Sequence, residues 1–186
     1  LVTDGGAAIV MTRSDRAKDT KNTPIYLLGA AMEHHHRMIS EMPDLVRTSA
    51  IESGERAFSM SGYKPNDMST IQLYDAFTIN TLLFLEDLGF CKKGEAKELV
   101  KNNNIGPAGN LKVNTNGGGL SCVHPGMYGL FVTLEALRQL RNASGDDVGK
   151  RLDGGWIDNA KLSVAHGNGG VLSSQVTNIW GVSDTL

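Results

Sequence analysis

The chain is poor in cysteine and has no excess of charge of either sign. Its 186 residues include only two cysteines, Cys91 and Cys122, which do not make a disulfide framework. A formal net charge of −2, from 18 basic and 20 acidic residues, gives no electrostatic footprint for nucleic acid or an anionic membrane. The longest apolar run is far shorter than a membrane span, and no secretory signal opens the sequence. We therefore expect a soluble protein of the reducing cytoplasm, without nucleic-acid partners.

What the sequence does contain is apolar material for one core and an alternation of strand and helix signals. Hydrophobic residues make up 40% of the chain, so one domain spanning residues 1–186 is the default. Strands are predicted at 7–12, 25–30, 69–74, 161–165 and 171–180, with helical segments at 13–18, after 49, after 79 and around 130–140. Ser49 and Glu52 form a possible capping box for the second of these helices, and Gly62 ends it. This order, ending in a hairpin, favours a layered α/β domain with a mixed sheet and flanking helices.

The stretch 113–129 brings flexible backbone and a titratable ring close to a helix start. Gly117, Gly118 and Gly119 allow positive φ and close backbone approach to a ligand. His124 precedes Pro125, which is favoured in the first turn of a helix. We expect the helix dipole to keep the His124 imidazole neutral near pH 7, with Tyr128 one turn further on the same face. The helix that follows carries an apolar face at helical spacing: Leu130, Phe131, Leu134, Leu137 and Leu140.

Two other turns carry polar groups. Tyr74 and Asp75 end a strand and precede a helix, a usual position for catalytic groups in α/β proteins. His166 begins the glycine-rich turn 166–170, which includes Gly169 and Gly170, between the last two strands. Each residue also has a plainer interpretation, because a single histidine or tyrosine more often packs as a satisfied side chain. Asp75 alone would serve equally well as a helix cap.

Three adjacent histidines, at 34–36, raise the question of a metal site. Two ligands on one helix face need i, i+4 spacing, and neighbours on a strand point to opposite sides. Three in a row therefore rarely share one ion. We interpret them as a polar loop or strand edge and predict no metal.

Asn114, Gly117 to Gly119 and His124-Pro125 resemble the N-x-x-G-G … G-H-P segment of the thiolase superfamily, in particular its lipid-transfer-protein-like branch. The resemblance runs through almost all of the sequence, yet it covers only the family's C-terminal half. The N-terminal half, which carries the nucleophilic cysteine in true thiolases, has no counterpart here. The D-G-A-A phrase that opens the family's second half is similar to the residues around Asp4 and Ala7. The resemblance implies a thiolase-like fold, and we expect this chain to be a fragment that does not turn over acyl-CoA by itself.

Departures from the family pattern bear on the reaction. His166 stands where thiolases have the proton-carrying cysteine of C-x-G-G. Tyr74-Asp75-Ala76-Phe77 stands where ordinary thiolases have N-E-A-F and sterol-carrier-type members have H-D-C-F. Cys122 does not match the catalytic cysteine and is interpreted as a small packing residue. These differences argue against an ordinary acetyl-transferring thiolase.

The resemblance implies an enzyme that acts on acyl-CoA thioesters by retro-aldol or Claisen-type chemistry in lipid or steroid side-chain metabolism. The combination of Tyr74, Tyr128 and His124 is similar to that of thiolase-like steroid side-chain aldolases, which work without a cysteine nucleophile and with an OB-fold (DUF35-like) partner protein. It implies a homodimer and coenzyme A thioesters as substrates, with no covalently bound cofactor. Alternatives are a true acetyl-CoA acyltransferase, a non-catalytic lipid or acyl-CoA carrier, and a half-subunit that serves dimerisation.

The resemblance also assigns roles to particular residues. His124, Tyr74 and His166 are expected to meet at one pocket, with the glycine run in its wall. The catalytic residues implied are His124, Tyr74, Tyr128, His166 and Asp75, and the substrate-binding residues are Asn114, Gly117, Gly118, Gly119, Gly169 and Gly170.

Overall fold

A mixed β-sheet carries the helices and positions the polar turns. The computed structural model describes residues 2–106, 108–122, 124, 126, 128–151 and 155–186, and within these ranges four strands form one sheet in the order β1-β4-β3-β2. β4 pairs antiparallel with both β1 and β3, whereas β2 and β3 are parallel. The strands are β1 Tyr26–His34, β2 Thr70–Leu73, β3 Leu162–Gly169 and β4 Ser174–Gly181. The predicted mixed sheet with flanking helices is confirmed.

A short extended segment continues the sheet beyond β2. Val113 forms a parallel bridge to Ile71, and Asn114 donates its N–H to the Ile71 carbonyl at 2.9 Å. The side-chain oxygen of Asn114 then accepts the N–H of Leu73 at 2.7 Å. Asn114 has a φ of 47°, a left-handed conformation that asparagine tolerates better than most residues. Asn114 therefore extends the ladder with its side chain while it turns the backbone into the glycine run.

Helices cover both faces of the sheet. The described helices are α1 Ser14–Ala17, α2 Ala50–Ser61, α3 Thr78–Asp87, α4 Ala96–Val100, α5 Gly118–Cys122 and α6 Gly129–Ala143, with single 3₁₀ turns at Ile39–Glu41, Pro65–Asp67, Lys101–Asn103 and Ser183–Thr185. α2 and α3 lie on one face, and α6 lies on the other. Within the described ranges, no helix is both long and apolar enough to cross a membrane.

Alternation along the strands divides the core into two layers. Successive side chains on a strand point to opposite faces of a sheet. Leu73 and Val164 accordingly lie in the cluster with α2 and α3, while Tyr74 and Ala165 lie in the cluster with α6. Residues adjacent in sequence are thus separated by the thickness of the sheet, which decides which of the polar turn residues can meet.

Two local predictions are wrong: the strand at residues 7–12 and the capping box at the start of α2. Residues 7–12 form no strand, and Val10 is 96% exposed, because no edge in the described part of the chain pairs with this apolar run. Ser49 begins α2 without a side-chain capping bond. The Ala50 N–H instead donates to Thr48 Oγ1 at 3.1 Å. The predicted end of α2 is confirmed, with Gly62 at a φ of 76°.

The buried face of α6 also differs from the predicted one. Leu130 is 37% exposed, and Phe131, Leu134 and Leu137 are only partly buried. Of the predicted apolar stripe, Leu140 alone is fully buried, and the helix faces the sheet with a set that includes polar side chains: Val132, Thr133, Glu135, Ala136, Gln139 and Leu140. The helix is rotated from the apolar stripe because Glu135 and Gln139 find hydrogen-bond partners inside, so their burial carries a reduced cost.

We expect Gly29→Ala to destabilise the domain. A Cβ at Gly29 would overlap the carbonyl oxygen of Ala57 and lie 3.0 Å from the Ser61 nitrogen, so β1 and α2 would have to separate. Overpacking of this kind costs about 1–3 kcal/mol, to be measured by urea unfolding of the protein that carries this domain. Gly6→Ala is the matched control, because no atom lies within 4 Å of its added methyl group. Equal stability of the two variants would contradict the close approach of β1 to α2.

Candidate active site

Tyr74, His124 and Tyr128 form one aromatic cluster on the α6 side of the sheet. The hydroxyl of Tyr74 lies 3.4 Å from His124 Nδ1 and 3.5 Å from the Gly126 carbonyl oxygen. The Tyr74 ring is stacked on His124 at 6.4 Å between centroids and is tilted against Tyr128 at 5.6 Å. Both contacts of the hydroxyl are long for hydrogen bonds, so the Tyr74 hydroxyl is only weakly engaged within the domain.

His124 lies between two helices rather than at the start of one. α5 ends at Cys122, and α6 begins at Gly129 with Tyr128 as its N-cap residue. The predicted place of His124 at a helix N-terminus is therefore wrong, and Pro125, on which it rested, lies outside the described residues. The His124 carbonyl accepts the N–H of Thr3 at 3.2 Å, which ties the beginning of the chain to this site, and the residue itself is exposed.

Burial makes Tyr74 and Tyr128 weaker acids than an exposed tyrosine. Desolvation is the main cause that raises the pKa of Tyr74, and the charge of Asp75 adds to it. Desolvation also raises the pKa of Tyr128 well above its ordinary value; the hydrogen bond from Asn116 opposes this rise, and the interaction with Cys122 adds to it. At neutral pH both phenols are therefore protonated and are suited to donate a proton or a hydrogen bond.

Asp75 holds the glycine run. Its carboxylate accepts the N–H of Gly119 at 2.5 Å and that of Leu120 at 3.4 Å. Burial raises the pKa of Asp75, and these backbone hydrogen bonds oppose the rise. A Cβ at Gly118, where φ is 69°, would overlap the same carboxylate. The glycines at 118 and 119 are thus explained by the close approach of Asp75.

The N–H groups of the glycine run are engaged inside the domain. Gly117 donates to the Asn114 carbonyl at 2.8 Å, Gly118 donates to Asn116 Oδ1 at 2.9 Å, and Gly119 donates to Asp75. These donors are saturated, so the run contributes shape rather than free hydrogen-bond donors.

Asn116 is a site residue that the sequence reasoning missed. Its Nδ2 donates to the hydroxyl of Tyr128 at 3.1 Å. Asn116, Cys122, Tyr128 and Phe131 share the wall of a cleft of about 390 Å³. The signal available in the sequence was the Asn-Gly dipeptide at 116–117, which is typical of a turn, but nothing in it indicates the bond to Tyr128.

A buried ion pair supports the segment before the glycine run. Arg151 forms a bidentate pair with Glu135, with 2.7 Å between Nη1 and Oε1. Glu135 also accepts from Thr115 Oγ1 and from Gln139 Nε2, and the Arg151 guanidinium lies 3.9 Å from the centre of the Trp156 ring. Residue 115 is thus fixed to α6, so Asn116 is held beside Tyr128.

His166 does not join this cluster. It lies inside β3, fully buried, with Nδ1 2.9 Å from Thr177 Oγ1 and Nε2 2.8 Å from Gln175 Oε1. Its ring contacts Phe84 at 4.6 Å, on the face of the sheet that α2 and α3 cover. The expected meeting of His166 with His124 and Tyr74 is wrong, because Tyr74 projects to the opposite face.

The predicted glycine turn is part of the hairpin strand. Gly169 pairs with Ser174 at the end of β3. The chain reverses instead through three consecutive left-handed residues, Gly170, Val171 and Leu172, with φ of 56°, 51° and 65°. Gly169 and Gly170 therefore belong to the hairpin end rather than to the turn that follows Ala165.

The structure brings together Tyr74, His124 and Tyr128, with Asp75 beneath the glycine run. Of the described residues that the sequence predicted for the site, Tyr128 lines the 390 Å³ cleft, and Gly119 lies against its ring. The expected glycine wall of a shared pocket stays a prediction. His34 ends β1, with Nδ1 2.6 Å from Ser174 Oγ. No group of histidine, cysteine and carboxylate side chains arranged to hold a metal occurs among the described residues.

Comparison with known proteins gives the site its context. Residues 31–182 match the family model for the thiolase C-terminal domain-like family. The chain is 39% identical over 153 residues to a 17-hydroxy-3-oxo-4-pregnene-20-carboxyl-CoA lyase of Mycobacterium tuberculosis, covering 78% of this chain and 39% of that protein. It is 29% identical over 181 residues to an acetyl-CoA acetyltransferase of Methanothermobacter thermautotrophicus, covering 96% and 45%.

A solved structure shows the same arrangement of elements. An aldolase described as Ltp2-ChsH2(DUF35) matches with a TM-score of 0.74 and 27% identity, over 91% of this chain and 42% of that chain. The chain therefore spans about two fifths of the length of the lyase and of the aldolase structure that it matches.

We expect His166 to make the stability of the domain sensitive to acid. Complete burial lowers the pKa of His166 from 6.5 to about 4, although its hydrogen bond to Gln175 opposes the shift. The neutral ring therefore contributes stability that is present above pH 6.5 and is lost as the pH falls from 6.5 to about 4, amounting to about 3 kcal/mol. The measurement is the free energy of unfolding in urea as a function of pH.

His166→Gln is the comparison for this measurement. Glutamine keeps a polar side chain but cannot take up a proton, so the variant should lose most of the slope between pH 6.5 and 4 even if it is less stable throughout. An unchanged slope in this variant would show that other groups cause the acid sensitivity.

Proposed function

The chain belongs to the thiolase C-terminal domain-like family, and we propose that the protein containing it is an enzyme that cleaves or forms a C–C bond beside an acyl-CoA thioester. The direction that we propose is retro-aldol cleavage of a β-hydroxyacyl-CoA with a lipid or steroid side chain. The observation that carries this proposal is the contact between the Tyr74 hydroxyl and His124 Nδ1, at 3.4 Å, on a surface shared with Tyr128. The similarity to a steroid acyl-CoA lyase supports it.

Retro-aldol cleavage needs one base and one acid. A base removes the proton of the β-hydroxyl group, the alkoxide becomes a carbonyl, and the electrons of the broken C–C bond pass to the thioester enolate. The enolate then takes a proton at its α-carbon, so one proton leaves the substrate and one returns. A histidine with a phenol beside it supplies a site for each of these transfers.

The chain's own residues divide this work by position. His124 is exposed and can reach a substrate hydroxyl, so we assign it the role of base, with Tyr74 passing or receiving the proton. Tyr128, protonated and facing the cleft, is assigned to donate to the oxygen that becomes negative, where a fixed donor is most effective. Asp75 and the glycine run from Gly117 to Gly119 maintain the position of these groups. His166 has a structural role in this scheme because it lies behind the sheet.

We propose that this chain works together with the rest of a longer protein, with an acyl-CoA substrate and with a partner protein. The chain spans about two fifths of its relatives, so we propose that residues 1–186 act as the C-terminal half of a longer enzyme. An acyl-CoA is the proposed substrate, without a covalently bound cofactor. A DUF35 protein is a proposed partner, supported by the name of the matching aldolase structure. A homodimer in the cytoplasm completes the proposal.

A thiolytic acyltransferase is the second candidate. It is supported by the match to an acetyl-CoA acetyltransferase over 96% of the chain. The two reactions differ in their co-substrate, because thiolysis consumes free coenzyme A and gives two thioesters, whereas a retro-aldol reaction gives one thioester and a carbonyl compound.

We expect Tyr74→Phe to lower the rate of C–C cleavage by roughly a hundredfold while acyl-CoA binding stays nearly unchanged, because the change removes a proton carrier and little contact area. The measurement is single-turnover cleavage of a β-hydroxyacyl-CoA by the full-length protein with its DUF35 partner, alongside equilibrium binding of the same ligand. Tyr128→Phe should act in the same direction. Tyr26→Phe is the control, because Tyr26 lies on β1 at the opposite edge of the sheet from β2.

Three results would contradict the aldolase proposal. Cleavage of a β-ketoacyl-CoA that requires free coenzyme A, without cleavage of the β-hydroxyacyl-CoA, would indicate the acyltransferase, because thiolysis gives two thioesters only from a substrate that already carries the β-carbonyl group. Tight binding without cleavage by the wild-type protein would indicate a lipid or acyl-CoA carrier. Normal cleavage by Tyr74→Phe would remove Tyr74 from the mechanism.

A further inference from the structure

Asn116 connects the glycine run to the phenol of Tyr128 through two hydrogen bonds made by one amide. Its Oδ1 accepts the N–H of Gly118 at 2.9 Å, and its Nδ2 donates to Tyr128 Oη at 3.1 Å. Tyr128 is 2% exposed, and its ring also lies against Gly119, where an added Cβ would be 3.3 Å from Cδ1. The ring of Tyr128 thus has little freedom to move, and only its hydroxyl hydrogen can reorient.

The orientation of this amide is determined by its surroundings. The Gly118 N–H is a donor only, so it requires the oxygen of Asn116 and not the NH₂ group. Reversing the amide would place two donors against each other at Gly118. The NH₂ group must therefore face Tyr128, and the Tyr128 oxygen must act as the acceptor of that bond.

The hydroxyl hydrogen of Tyr128 is then directed to its other side. A phenol oxygen that accepts from the Asn116 NH₂ group must direct its own O–H away from that group. Asn116, Cys122 and Tyr128 all line the cleft, and Cys122 interacts with the Tyr128 phenol, so the O–H is left to point to the cleft beside Cys122. A hydrogen bond received by the oxygen also stabilises the negative charge that remains after the proton leaves.

We propose that Asn116 is a positioning residue that makes Tyr128 a hydrogen-bond donor directed into the cleft. For the reaction, this inference rests on the proposed function, in which Tyr128 donates to the developing oxyanion. The direction of the hydroxyl itself is independent of any reaction, so it can be measured separately.

Asn116→Asp separates a positioning role from a merely structural one. The aspartate keeps Oδ1 as acceptor for Gly118 and replaces the NH₂ group with a second oxygen. When this carboxyl is ionised, the Tyr128 hydroxyl turns toward it and away from the cleft. When it is protonated, its O–H donates to Tyr128 Oη and restores the original direction. Asn116→Ala lacks both bonds at every pH and serves as the matched control.

The first measurement does not depend on catalysis. The full-length protein is labelled with [ζ-¹³C]tyrosine, and the Tyr128 signal is identified by its loss in Tyr128→Phe. In Asn116→Asp this signal should shift with pH through one acid-range inflection and return toward the wild-type position at low pH. Asp75, whose pKa is raised by burial and whose charge acts on Tyr128, titrates in all three proteins. Wild type and Asn116→Ala should therefore show only this shared response, and Asn116→Asp should show a further inflection of its own. Absence of this further inflection in Asn116→Asp would overturn the assigned hydrogen bond.

The second measurement is the rate of β-hydroxyacyl-CoA cleavage. At neutral pH we expect Asn116→Asp and Asn116→Ala to lower kcat by about ten- to a hundredfold, with KM changed by no more than about threefold. As the pH falls through the inflection, the kcat of Asn116→Asp relative to wild type should recover, while that of Asn116→Ala should not. An inflection in the tyrosine signal without recovery of kcat would overturn the positioning role. Absence of cleavage by wild type would reject the proposed function, and the tyrosine signal alone would then decide the direction of the hydroxyl.

Discussion

The site depends on the hydrogen bonds between the Asp75 carboxylate and the start of α5. This carboxylate fixes the end of β2 to the glycine run through the N–H groups of Gly119 and Leu120. Tyr74 immediately precedes Asp75, and Asn116 immediately precedes the run, so one buried acid sets the relative position of two phenols. A buried carboxylate is costly unless backbone donors satisfy it, and the absence of a side chain at Gly118 is what lets those donors approach. The glycine run is therefore required mainly for its contact with Asp75.

Much of the fold was predictable because its signals are local. Gly62 ends α2 in the left-handed conformation that the sequence predicted, and Tyr74 follows its strand as expected. The site was recognised mainly from the family resemblance, which identified Tyr74, His124 and Tyr128. The sequence did not reveal the roles of Asn116, Glu135 and Arg151. Their hydrogen-bond partners lie 12 to 20 residues away, and no hydrophobic periodicity or sequence motif marks such pairs.

The wrong predictions for the turn at 166–170 and the strand at 7–12 also arise from contacts with other segments of the chain. The glycines after His166 suggested an early turn, yet β3 continues because its ladder with β4 is complete as far as Gly169. The reversal then falls on Val171 and Leu172, residues that avoid left-handed backbone. That shift of four residues keeps His166 within the strand, and the alternation of side chains sends it to the face opposite Tyr74. The apolar run at 7–12 failed as a strand because a strand is defined by a neighbour, which sequence does not reveal.

The ion pair between Glu135 and Arg151 has a consequence for how this domain can diverge. Loss of one partner leaves an uncompensated charge in the interior and is strongly unfavourable, whereas replacement of both by apolar side chains of similar volume is often tolerated. Substitutions at these two positions should therefore be accepted as a pair, and an intermediate with one change should be rare. Because the same carboxylate holds Thr115, a lineage that abandons the pair must also find a new anchor for the segment before the glycine run. The pair thus ties the evolution of α6 to that of a loop distant in sequence.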